Sequence, residues 1–137
     1  MTDTAVLVRL DDTDLTLADP ADDVRGQSVV DGDGDKVGEV DGLVIDEEER
    51  RVRFLQIGAG GFLGLGKDKL LLPVDAVTGV DDAVRVDTDR DTVAGSPVYD
   101  PELVLDRTTV AGFYDYYGYM PYWSAGYLTP GFPYRTI

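Results

Sequence analysis

Residues 24–87 consist of short apolar runs cut off by tight-turn signals, with little helical period, and this pattern constrains the fold more than any other feature. Gln27-Ser28-Val29-Val30 leads into Asp31-Gly32-Asp33-Gly34-Asp35, and Asp-Gly steps between apolar runs predict a hairpin. Residues 37–46 form a long strand whose apolar positions Val37, Val40, Leu43, Val44 and Ile45 break strict alternation; Gly42 in its middle predicts a bulge or bend. A charged turn precedes Val52-Arg53-Phe54-Leu55-Gln56-Ile57, a β-branched and aromatic strand. Residues 69–74 are a continuous apolar run, and Ala83-Val84-Arg85-Val86-Asp87 alternates cleanly, with Val84 and Val86 inward. Strands this short and closely spaced predict an antiparallel barrel or half-barrel, not a βαβ sheet.

The flanks differ in character. Residues 1–23 read as an N-terminal arm, with Leu15-Thr16-Leu17 as a possible edge strand. Thr88-Asp89-Arg90-Asp91 reads as a capping box that opens a helical turn stopped by Gly95. Residues 102–117 can form a helix, weakened by Thr108, Thr109 and Gly112. Ten of the thirteen aromatic residues lie from Phe113 onward, and Gly118, Pro121, Gly126, Pro130, Gly131 and Pro133 deny regular structure there. The expected organisation is an arm over 1–23, a barrel domain over 24–98 and an aromatic-rich extension over 99–137.

Composition removes whole classes of chemistry. Without Cys or His there is no thiol nucleophile, no Ser-His-Asp triad, no disulfide and no Cys/His zinc site. The 27 acidic residues against 12 basic ones give a formal charge of −15, a field that disfavours direct contact with nucleic acid or anionic membrane. Arg50, Arg51 and Arg53 follow Glu47-Glu48-Glu49 and are expected to be neutralised locally. No run approaches the roughly 20 apolar residues of a spanning helix, so a cytoplasmic protein without membrane insertion is expected.

Three motifs suggest chemistry and then fail on context. Gly61-Phe62-Leu63-Gly64-Leu65-Gly66-Lys67-Asp68 satisfies Gly-x-x-x-x-Gly-Lys, but Asp68 stands where a phosphate loop needs a magnesium-binding hydroxyl, and a strand follows instead of a helix. Asp31, Asp33 and Asp35 match the first positions of a calcium loop; Lys36 and Gly42 then replace its Gly and its Glu, leaving at most a weak cation site on a hairpin tip. Paired carboxylates such as Asp11-Asp12 and Asp81-Asp82 are too abundant to mark an acid and a base. No catalytic residue, metal site or cofactor is therefore assigned.

Contact residues are the remaining candidates. Phe62, Leu63 and Leu65 put apolar side chains on a glycine-rich loop, where they fold back on the barrel or meet a partner. Tyr114, Tyr117, Tyr119, Tyr122 and Trp123 are, with their neighbours, too many for one helix face. Their composition favours binding or self-association over cover for a face of the same subunit.

Asp23-Val24-Arg25-Gly26, Lys36-Val37-Gly38-Glu39-Val40-Asp41, Arg51-Val52-Arg53-Phe54-Leu55, the glycine stretch with its apolar run, and Tyr99-Asp100-Pro101 together resemble a bacterial PRC-barrel domain protein over about residues 15–101. The resemblance implies a mainly β fold: a small antiparallel PRC-type barrel with short helical segments and an aromatic C-terminal extension. It also implies a docking role, as in the reaction-centre H subunit and the ribosome maturation factor RimM, without catalytic residues. The expectation is a protein-binding module, possibly a homodimer, of unknown partner; the alternative is a ribosome-associated assembly factor that docks a basic ribosomal protein.

Overall fold

A computed structural model describes residues 5–13, 23–58, 69–97, 99–100 and 104–128. The described residues are mainly β, with strands β1 (Val8–Arg9), β2 (Ser28–Val30), β3 (Lys36–Asp46), β4 (Arg51–Gly58), β5 (Lys69–Pro73), β6 (Val77–Val80) and β7 (Val84–Val86). Helices α1 (Arg90–Ala94) and α2 (Arg107–Tyr117) follow. The strand order is β5-β4-β3-β2-β7-β6, with β1 also pairing β3. The path stays open, its end strands joined through the 3-10 turn Val74–Ala76. All pairings are antiparallel except β2 with β7, which is parallel. The mainly β, mostly antiparallel fold expected from the sequence is present, and the parallel seam forms where the β6–β7 hairpin returns to lie beside β2.

Turn chemistry sets the local registers. Asp31 accepts backbone N–H bonds from Asp33 at 3.0 Å and Asp35 at 2.9 Å, which shapes the β2–β3 turn. Its second oxygen accepts from the Arg90 N–H at 3.2 Å and ties the hairpin to the start of α1. Asp89, not Thr88, caps α1, its carboxylate accepting from the Thr92 N–H at 2.7 Å. Asp106 caps α2 in the same way through Thr109, so this helix starts later than the sequence pattern suggests; Gly118 at φ 82° ends it.

The apolar runs of β3, β4 and β5 are continuous because both faces of these strands are covered. Leu43, Ile45, Leu55, Ile57, Leu70 and Leu72 enter the core on one face. Their alternates Val44, Phe54 and Leu71 enter a second core with Leu7, Leu105, Val110, Phe113 and Tyr114. Val110, Phe113 and Tyr114 follow helical spacing, so α2 lays this stripe on the outer face of the sheet, while Tyr117 at its end packs on the first core. The Phe54 ring meets Tyr114 at 4.7 Å and Phe113 at 6.4 Å between centroids.

Two bulges interrupt the β3–β4 ladder. Asp41 is the extra residue between the pairs Val40–Ile57 and Gly42–Gln56, where Gly42 signalled it; Arg53 is the extra residue between Val44–Phe54 and Ile45–Val52. Close strand approach also fixes Gly38, where a Cβ would lie 2.7 Å from the Ile57 Cγ2 and 3.0 Å from the Gly58 carbonyl. Gly38→Ala is expected to cost about 1–3 kcal/mol by overpacking. Gly79→Ala, with nothing within 4 Å of its Cβ, is expected to be neutral or slightly stabilising. Urea unfolding of the two variants checks the contrast.

Candidate functional site

The second bulge places an arginine where the strand pattern calls for an apolar residue. Arg53 is buried, and its Nη2 donates to Asp46 at 3.4 Å and to Glu49 at 2.5 Å, which pairs one of the three arginines expected to be neutralised locally. Its guanidinium lies 4.3 Å from the centre of the Tyr122 ring, a stacking arrangement suited to Arg. Tyr122 in turn meets Trp123 edge-on at 5.0 Å, and Arg107 from α2 lies 5.1 Å from the Trp123 ring. Two adjacent aromatic rings are therefore flanked by two arginines.

Residues 119–128 form a strap across this face. The Tyr119 hydroxyl donates to the Asp87 carboxylate at 3.1 Å, and the Tyr127 hydroxyl donates to Asp75 Oδ2 at 2.8 Å. Burial raises the Asp75 carboxyl above its ordinary value, opposed by the Tyr127 hydrogen bond and by Arg53. Burial likewise pushes the Tyr122 phenol up to about 12 and the Tyr117 phenol up to about 12. Among the described residues, the buried Tyr114 hydroxyl, Arg53 Nε and Asp75 Oδ1 have no hydrogen-bond partner.

The structure redistributes the residues singled out from the sequence. Tyr114 is fully buried against Phe54 and serves the subunit's own second core, so as a contact residue it is corrected. Tyr117 covers the first core, while Tyr119, Tyr122 and Trp123 are half-buried and line the strap. Phe62, Leu63 and Leu65 lie outside the described residues, as does Leu15-Thr16-Leu17. Arg53, Asp75, Asp87, Arg107 and Tyr127 belong to the face and were not singled out; an Arg inside the apolar run of residues 52–57 was the one local signal.

Other candidates are occupied by structure. The ligand atoms of Asp31, Asp33 and Asp35 lie within 4.8 Å of one another, but three backbone N–H bonds already account for Asp31. An open cleft of about 430 Å³ is lined in part by Arg25, Glu39, Asp41 and Lys69. Its cations are paired, Arg25 with Asp11 and Asp23, and Lys69 with Asp41, whose carboxyl the ammonium holds below the usual range.

The described sheet is open, bulged at Asp41 and Arg53, with its end strands β5 and β6 joined by a 3-10 turn. The model of the PRC-barrel domain matches residues 18–93, more than half of the chain. The chain belongs to the PRC-barrel domain family. No curated protein matches it. Within this PRC-barrel protein the matched span runs from before β2 into α1, so α2 and the strap lie beyond it. No described helix is long and apolar enough to cross a membrane.

Arg53→Ala is expected to cost about 3–5 kcal/mol, because it leaves Asp46 buried without its cation. Glu49→Ala removes an exposed partner and is expected to cost less than about 1 kcal/mol. Chemical denaturation of both separates the two roles of the pair. Asp75 contributes differently. Because its folded pKa is raised, its protonated form favours the folded state, and that contribution is lost as pH rises from the ordinary carboxylate value through the raised one. Asp75→Asn keeps an acceptor for Tyr127, so its stability relative to wild type is expected to improve from acid toward neutral pH, read by thermal melts across that range.

Proposed function

We propose that this PRC-barrel protein is a non-catalytic, cytoplasmic docking module that binds another protein, itself included, through the aromatic face beneath and along the strap. PRC-barrel domains are generally interaction modules without catalysis, and the reading takes that role for this chain. The observation that carries it is the surface on the strap itself. Met120 is 50% and Leu128 is 87% exposed, beside half-buried Tyr122 and Trp123 that rest on Arg53 and Arg107. Aromatic and Arg anchors with apolar neighbours are the composition of interface hot spots. The acidic remainder of the surface steers toward cationic rims and away from phosphate backbones.

Sedimentation velocity over a wide concentration range tests this. The full chain is expected to self-associate, more strongly as salt screens the repulsion between its acidic copies. Met120→Asp with Leu128→Asp is expected to shift it toward monomer while leaving its far-UV spectrum unchanged. A chain that stays monomeric at every concentration and salt, or that associates equally well with both substitutions, overturns the self-association reading.

A further inference from the structure

Among the described residues, the exposed large apolar side chains are Val104, Tyr116, Met120 and Leu128, and all of them lie beyond the span matched by the family. Apolar exposure concentrated on one part of a small protein marks a contact surface. The cations of this part are already engaged from within the subunit. Arg53 lies under Tyr122 with Asp46 and Glu49, and Arg107 lies against Trp123. The lysines Lys36 and Lys69 pair with Glu39 and Asp41. Arg50 and Arg51 share their turn with Glu47, Glu48 and Glu49, so that turn carries no positive surplus. Carboxylates remain around the strap. Burial, and with it the charges of Asp46 and Glu48, raises the Tyr122 phenol, so the exposed Glu48 stands near that ring. Asp115 is exposed on α2, beside the exposed Tyr116.

Resting on the docking reading above, we propose that the occupant of this face is a cationic amphipathic segment of another protein. Its apolar side chains cover Met120, Leu128 and the edge of the Tyr122–Trp123 pair, and its lysines or arginines meet Glu48 and Asp115. Charge complementarity decides among the candidates. A formal charge of −15 repels phosphate backbones and anionic headgroups, and a second copy brings the same −15 to the contact. A cationic segment gains from the whole field and from the rim together. Lysine and arginine also carry apolar stems that lie along Met and aromatic surface while their heads reach a carboxylate. Salt separates the two kinds of protein partner: it weakens a cationic ligand and strengthens association between acidic copies.

The full-length chain is titrated with a peptide of about 18 residues built of Lys and Leu at helical spacing. Binding is read by the emission of Trp123, the only tryptophan. Parallel titrations use a Glu–Leu peptide of the same spacing and a Lys–Ser peptide. The Lys–Leu peptide is expected to move the Trp123 emission and to lose affinity as salt rises. The Glu–Leu peptide is expected to leave the emission unchanged, and the Lys–Ser peptide to bind about tenfold more weakly for want of apolar contact. Glu48→Gln with Asp115→Asn is expected to weaken Lys–Leu binding several-fold. Glu39→Gln with Asp82→Asn removes the same charge elsewhere and is expected to leave binding near wild type. Glu39 stands opposite Gly58, at the far end of β4 from Arg53, and Asp82 precedes β7 whereas the Tyr119 anchor Asp87 follows it. Glu48→Gln against Glu39→Gln makes the same comparison one charge at a time if a double variant fails to fold. A Glu–Leu peptide that binds as tightly as the Lys–Leu one, or equal losses from the two charge pairs, overturns the cationic occupant. If the Lys–Leu peptide does not bind a chain that self-associates in sedimentation, the cationic occupant falls and docking through the face stands; if neither occurs, both fall.

Discussion

The contact of Phe54 with Tyr114 and Phe113 is the interaction on which the rest of the structure depends. Seven short strands in an open path leave one face of β3, β4 and β5 without cover. That face carries Val44, Phe54 and Leu71, whose exposure would forfeit roughly 1.5–3 kcal/mol each. α2 supplies the cover, and Leu7 and Leu105 complete it from segments before and after the sheet, where the Val6 N–H donates to the Leu105 carbonyl at 2.8 Å. The span matched by the family therefore shares its second core with residues beyond the match at the C-terminal side and before it at the N-terminal side.

The two bulges convert this packing into chemistry. At Asp41 the extra residue sends a carboxylate toward Lys69 and Gln56 at the rim. At Arg53 it turns a cation under the strap, where burial without Asp46 and the stacked Tyr122 ring would be prohibitive. The strap thus rests on a buried guanidinium and a buried carboxyl, each held by a partner side chain. The interior is apolar and tightly packed below the sheet's outer face, and polar and aromatic above it.

Much of the sheet was legible in the sequence because its signals are local. Asp31 to Asp35 encode a turn through side-chain acceptance of backbone N–H groups, and Gly42 marks a bulge because a strand interior otherwise disfavours glycine. Val84 and Val86 point inward by alternation alone. The aromatic residues were harder to place. Tyr114 and Tyr122 are the same residue type eight positions apart, yet one is fully buried on Phe54 and the other lies half-buried on a guanidinium. Composition supports an interface for both, and only tertiary placement divides them, Tyr114 on the inward stripe of α2 and Tyr122 on the segment after the helix.

By itself, then, the sequence determined the strand-and-turn order, the family and the exclusion of thiol and imidazole chemistry, since each of these rests on residue type and short-range spacing. Tertiary structure decided the parallel seam between β2 and β7, the assignment of alternate residues to two cores and the burial of Arg53. It also joined Asp75 to Tyr127 and Asp87 to Tyr119 across long separations in the chain. The physical reason is that a strand's pattern shows whether a face is buried, whereas what buries it depends on which distant segment the closed chain brings there.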